Sequence, residues 1–214
     1  MPYGERMALT QPESLALPGD RRTAIADGAI VIIARDGLRS LTHRAIDREL
    51  ELPAGSTSYY ARTRRQLIQA VVQRLADRTT QDLQPPTPSP ADRPPPSVQE
   101  VSAALAGLLD RLERRSDDHL ARYALAVDLT GDPELHDLVT SGSPIRTQML
   151  ARAQATLGLL GVADPAAQAP GLIAVVDGLL FDRLAGSGRD PEQRADASAI
   201  LAAYLSGLPR ASTA

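Results

Sequence analysis

Between Pro53 and Arg65 the chain reads PAGSTSYYARTRR, with two adjacent tyrosines among small hydroxyl-bearing residues and then three arginines in four positions. Phenol and hydroxyl groups can hydrogen-bond anionic oxygens, and guanidinium groups add charge in a planar fork suited to phosphate. Ala54, Gly55, Ser56 and Thr57 are small enough for a helix carrying them to approach the edges of bases. Arg44, on the preceding segment, is the residue best suited to a bidentate contact with a guanine edge. Tyr60, Arg62, Arg64 and Arg65 would supply phosphate contacts, whereas Tyr59 reads as a packing residue beside them. Arg48, flanked by Asp47 and Glu49, reads as a solvated face whose local ion pairing is worth less than about 1 kcal/mol.

A second set of residues could hold a small molecule. In HLARYALAVDL, His119 and Tyr123 stand at i, i+4 with Arg122 between them, and in VVDGLLFDRL so do Asp177 and Phe181. Helical spacing puts each pair on one face, and a cavity lined by them could take a ligand with a few polar groups. Asp177 has a second reading, as a carboxylate accepting hydrogen bonds across a dimer axis. His136-Asp137, with His119 and Asp177, also loosely resembles the His…His-Asp…Asp set of metal-dependent phosphohydrolases, which requires all four side chains to converge. Asp132-Pro133-Glu134 accounts for the same neighbourhood as a helix start. With no Ser-His-Asp set and no glycine-rich phosphate loop, no catalytic residue, metal ligand or cofactor is assigned, and an enzyme is not expected.

Composition narrows the classes. The chain has 214 residues, 43% of them hydrophobic but only 3% aromatic, so a core must be built from Leu, Ala, Val and Ile. It has no cysteine, which removes disulfides and thiolate chemistry. Apolar runs are short and broken by charge, and no secretory signal pattern opens the chain, so a cytoplasmic protein with no membrane span is expected. The net charge of −3 conceals an asymmetry. Residues 21–67 carry nine arginines against five acidic residues, and residues 68–214 carry thirteen against eighteen. A basic first quarter on an acidic remainder suggests two tasks.

The elements that must position these residues are all helical. Residues 1–19 read as a loose arm. Ile25, Ala29, Ile32 and Ile33 mark a helix from Arg21 that ends near Asp36-Gly37. A short helix capped by Thr42 runs to about Leu50, a third covers Ala54–Tyr60, and a fourth begins near Thr63. The proline-rich segment 83–97 reads as an extended connection. Ser97 with Glu100 forms a capping box, and Asp132-Pro133, Asp164-Pro165 and Asp190-Pro191 are further helix starts. They divide the rest into helices near 98–115, 117–130, 133–160 (with a break at Ser141-Gly142), 166–185 and 190–207, leaving 209–214 as a tail.

Two short helices joined by a tight turn behind a longer one form a helix-turn-helix layout. The run Gly37–Ile68, with Thr42–Asp47 and Pro53–Arg64 matching almost in full, resembles the DNA-binding region of the tetracycline-repressor family of bacterial regulators. The resemblance implies an N-terminal three-helix DNA-binding domain, 20–66, followed by a larger helical effector-binding and dimerisation domain, 67–208. It implies that Thr42 and Tyr60 touch phosphates, that Arg64 lies near the DNA backbone, and that Arg44, Ser56 and Thr57 face bases. His43, Ala54, Gly55, Tyr59 and Arg62 complete the implied interface. The helices near 166–185 and 190–207 would pair with their copies in a homodimer, which would bind double-stranded palindromic operator DNA and respond to a small-molecule effector.

Two residues depart from the family's pattern. Ala61 replaces a usual Phe, a loss worth roughly 3–5 kcal/mol unless a neighbour such as Tyr59 refills the space. Glu51 stands where the turn usually has Gly, and a left-handed non-glycine residue costs roughly 1–2 kcal/mol. The expected protein is a repressor released from its operator by its effector. Its rivals are a helical dimeric ligand-binding protein with impaired DNA binding and the metal phosphohydrolase.

Overall fold

The computed structural model describes residues 18–82 and 95–211, and ten α-helices lie within them. The expected arm up to residue 17, most of the proline-rich connection and the end of the tail fall outside the described residues, while Pro18 and Gly19, expected in the arm, begin the first helix. No strand occurs among the described residues, only an isolated antiparallel bridge between Val162 and Arg210.

The first helix, α1 (Pro18–Asp36), buries Ile25, Ala29, Ile32 and Ile33 and stops where Gly37 takes a positive φ of 80°. After a single 3-10 turn over Leu38–Ser40, Thr42 accepts the Ala45 N–H at 3.1 Å and starts α2 (His43–Glu49). The third helix, α3 (Ser56–Tyr60), is shorter than expected: Ala54 and Gly55 precede it, and Gly55 sits left-handed at φ 92° as its N-cap. After Ala61–Thr63 comes α4 (Arg64–Asp82). Its Leu67, Ile68, Val71 and Leu75 pack on α1 and α2.

The capping box of Ser97 and Glu100 is present and opens α5 (Val98–Glu113). Next come α6 (Ser116–Asp128) and α7 (Pro133–Val139), the latter capped by Asp132 through the Leu135 N–H. The expected break holds: α7 ends at Val139, and α8 (Pro144–Leu159) starts after a turn through Gly142. A Cβ at Gly142 would lie 2.1 Å from the Asp137 carboxylate, so any larger residue there would have to displace that side chain. Then come α9 (Pro165–Ala185) and α10 (Ala197–Ser206).

The last helix corrects the sequence reading. Asp190-Pro191 starts only a 3-10 turn, Pro191–Gln193, because Asp190 accepts from the Glu192 N–H and the backbone then extends at Arg194. The α-helix begins at Ala197, with Asp196 accepting from the Ala199 N–H. Arg194 instead ties the segment back, pairing with Glu113 at 2.8 Å and donating to the Gly188 carbonyl.

Two hydrophobic clusters result. One gathers Ile30, Ile33, Leu41, Ile46, Leu67 and Val71 from α1, α2, α4 and the turn between α1 and α2. It continues without interruption into Ala121, Leu125, Leu129 and Leu135 of the α6–α7 region. The other gathers Leu109, Leu157, Leu172, Leu180, Leu201 and Leu205 from α5, α8, α9 and α10.

Candidate nucleic-acid interface and ligand cavity

The recognition element is held by a residue that the sequence did not single out. Asp47 faces inward from α2, 5% exposed, and its carboxylate accepts the backbone N–H groups of Gly55 and Thr57 at 2.8 Å each. A carboxylate at the start of a helix satisfies donors that have no partner within it. Burial pushes the Asp47 carboxyl pKa up, but the hydrogen bonds from Thr57 and Gly55 and the nearby His43 outweigh that and hold it below its ordinary value. The Leu52 N–H also donates to the Asp47 carbonyl at 2.7 Å, which fixes the turn. Within that turn Glu51 is left-handed, at φ 51°. An acidic residue on the apolar face of α2, eight positions before Gly55, was the available signal.

This lock orients α3 and corrects several side chains. Thr57 is fully buried, so it cannot face bases. Tyr59 is 81% exposed and stays out of the core, whereas Tyr60 packs against the cluster that includes Ala61. The two rings meet edge to face at 5.2 Å. A five-residue helix makes little more than one turn, and adjacent positions point about 100° apart. With Thr57 inward, Tyr60 follows it and Tyr59 is turned out.

Other predicted contacts are engaged within the fold. His43 Nε2 lies 2.6 Å from the Ala61 carbonyl and ties α2 to the end of α3. Arg64 donates to the Leu38 and Leu41 carbonyls at 2.6 Å, which anchors the start of α4 on the 3-10 turn. Ser56 and Ser58 donate to the Pro53 and Gly55 carbonyls at 2.7 Å. Thr42 is exposed beside them, at the N-cap of α2, and Ala54 and Gly55 are exposed in the turn. Arg44, Arg48 and Arg62 are exposed, and their guanidinium groups make no ion pair among the described residues. The helix-turn-helix segment thus offers three exposed cations and the exposed Tyr59 phenol.

The second site is a half-open cavity of about 430 Å³ lined by residues of α4, α6, α7, α8, α9 and the α7–α8 connection. Arg122, Tyr123 and Asp177 line it. Arg122 pairs with Asp177 at 3.0 Å and lies 5.1 Å from the Tyr123 ring centroid. The Tyr123 hydroxyl donates to the Asp177 carbonyl at 3.4 Å, and burial pushes its pKa up to about 12. Asp177 therefore has its partner inside the protomer. His119 and Phe181 are not part of the lining. Phe181 packs edge to face on Tyr123 at 5.3 Å and is about half exposed. His119 is buried, and burial first, then the Arg122 charge, lowers its pKa to about 4. Sequence reasoning missed Leu75, Arg146 and Met149, whose polar or apolar character alone does not reveal a cavity wall.

The phosphohydrolase set does not form. Among the described residues no three His, Cys, Asp or Glu side chains gather as metal ligands, and Asp177 is engaged by Arg122. No helix among them is long and apolar enough to cross a membrane.

Ion pairs tie α4 to α1, α6 and α7. Asp27 of α1 takes Arg74 at 2.6 Å and Arg78 at 2.8 Å, both from α4, and Arg78 also pairs with Asp118 of α6. Arg65, in the first turn of α4, pairs with Asp132 at 2.9 Å and with Glu134 of α7.

A helix-turn-helix head on an all-helical body with a half-open cavity is the architecture of this chain among the described residues. Residues 96–207 match the family model described as the tetracyclin repressor-like C-terminal domain. The chain belongs to the tetracycline-repressor family of transcriptional regulators. No curated protein matches the sequence. Solved structures of similar fold include a TetR-family transcriptional regulator from Rhodococcus sp., at 17% identity and TM-score 0.59, covering 88% of this chain and 97% of that one. A transcriptional regulator from Saccharomonospora viridis in complex with choline aligns at 20% identity and TM-score 0.61, over 88% of this chain and 94% of that one. The multidrug binding protein EbrR in complex with imidazole aligns at 23% identity and TM-score 0.59, over 96% and 100%.

Proposed function

We propose that the protein acts as a homodimeric repressor that binds a palindromic operator and leaves it when a small molecule fills the cavity. The observation that carries this reading is the surface around α3. Arg44 and Arg48 on α2 and Arg62 after α3 are exposed with no ion-pair partner among the described residues, Tyr59 is exposed on α3, and Asp47 fixes the element that carries it. Arg44 would reach a base edge, and Arg48, Arg62 and Tyr59 would reach phosphates. Thr42 would add a contact from the start of α2, as the family resemblance implies.

Dimerisation is supported by a stripe of small and apolar residues that the protomer leaves exposed. On α9 it runs through Pro170, Ala174, Gly178, Phe181 and Ala185, and on α10 through Ala199, Ile200 and Ala203. Small residues let helices of two copies approach closely, and a two-fold pair would present two heads to successive major grooves.

The cavity and the head share α4. Val72, Leu75, Ala76 and Thr79 line the cavity, and Arg65 and Leu67 belong to the same helix at the head. A ligand preferring one position of α4 over another would lower DNA affinity by its differential binding to the two states.

Fluorescence anisotropy against duplexes tiled across the gene's own upstream region, at two salt concentrations, tests the reading. Tight, sequence-selective and steeply salt-dependent binding that Arg44→Ala weakens is the expected result. Binding no better than to random duplex, and unchanged by Arg44→Ala, would overturn it.

A further inference from the structure

We propose that the ligand of this cavity is an amphipathic anion, an apolar body carrying one acidic group, whose charge is met by Arg146. The proposal rests on the cavity being the effector site. Among the residues lining it, the charged ones are Arg122, Arg146 and Asp177. Arg122 and Asp177 neutralise each other at 3.0 Å. Arg146, in the first turn of α8, makes no ion pair among the described residues. One positive charge is therefore left over on the wall.

A cationic ligand would find little here. It would need a free carboxylate or an open aromatic face. The sole carboxylate of the lining is engaged by Arg122, and the sole aromatic ring, that of Tyr123, already has the Arg122 guanidinium on it. A neutral apolar ligand would cover Arg146 without replacing the water it loses, which is costly for a charge. An acidic group supplies the partner. The hydroxyls of Ser141 and Ser143, close to Arg146 in the chain and in the same wall, can donate to it. The first turn of α8 adds no acidic residue that would repel it. Leu75, Leu138, Ile145 and Met149 would receive the apolar body.

The test uses three probes of matched chain length, decanoate, decanol and decyltrimethylammonium, titrated calorimetrically into the full-length protein below their micellar concentrations. Decanoate is expected to bind about tenfold more tightly than decanol, from one charge-assisted contact, with the ammonium weakest. Arg146→Gln should abolish the preference for decanoate over decanol, by weakening decanoate and removing the cost that decanol pays for covering the charge. An ammonium that binds as well as decanoate, or a carboxylate preference that survives Arg146→Gln, overturns the proposal and leaves the cavity as the site. Ala76→Trp, which fills the cavity, separates the two readings. If no probe binds, or if binding is indifferent to Ala76→Trp, the cavity reading fails and the anion proposal fails with it.

Discussion

Arg65 and Asp132, 67 residues apart in the chain, are joined by a 2.9 Å ion pair that links the first turn of α4 to the cap of α7. Asp132 serves both ends at once, because one carboxylate oxygen accepts the Leu135 N–H at 3.2 Å while the other accepts from Arg65. The far end of α7 carries Leu138 and Val139 into the cavity wall. Only Ala61–Thr63 separate Arg65's helix from α3. A displacement of α7 would therefore pull on the root of α3.

Arg65→Gln should weaken that link without touching the cavity. Ligand affinity in the absence of DNA should stay within about twofold, while the ligand's effect on DNA affinity shrinks, since coupling energies of this kind run about 1–3 kcal/mol. Paired titrations with and without operator give the coupling directly. An undiminished effect would show that α7 is not the route.

Asp47→Ala should cost about 1–3 kcal/mol of stability, since it leaves the buried Thr57 N–H and the Gly55 N–H without their charged acceptor. DNA binding should fall with it, because α3 loses its N-terminal anchor. Arg44→Ala offers the contrast: weakened DNA binding with an unchanged denaturation midpoint. Chemical denaturation and anisotropy on the same preparations separate the two effects.

Acidification should destabilise the protein through His119. Its pKa falls from the ordinary 6.5 to about 4 in the fold, so between those values the unfolded chain binds the extra proton. Stability contributed by the neutral imidazole is complete above pH 6.5 and is lost as pH falls toward 4, by about 3 kcal/mol in all. Denaturation midpoints measured across this range should slope for the native chain and flatten in His119→Gln.

Glu51→Gly should stabilise the turn between α2 and α3. A left-handed non-glycine residue is strained by about 1–2 kcal/mol, part of which glycine's greater freedom in the unfolded chain offsets. A net gain of about 0.5–1 kcal/mol is expected, read as a higher melting temperature.

Signals that act within a few residues were legible in the sequence. Thr42, Ser97 with Glu100, and Asp132-Pro133 mark helix starts because each cap bonds to a backbone group two or three positions on. The pairing of Arg122 and Tyr123 with Asp177 was visible only as two polar clusters on apolar helices, and the fold brings them together. The facing of Thr57 and Tyr59 was not legible, since α3 is too short for periodicity to choose a side. Arg64 and Arg65 read alike in sequence. Their different roles depend on the Leu38 and Leu41 carbonyls and on Asp132, partners more than 20 residues away in each case.

The first hydrophobic cluster does not end where the head ends: Ile30 and Val71 belong to the same apolar body as Leu125 and Leu135. Cutting the chain after α4 would strip that body of one wall and expose it to water. The head is thus not a portable reader that can be grafted onto another sensor at residue 82. A working chimera has to carry α6 and α7 with it, so the head and the helices beside the cavity are inherited as one piece.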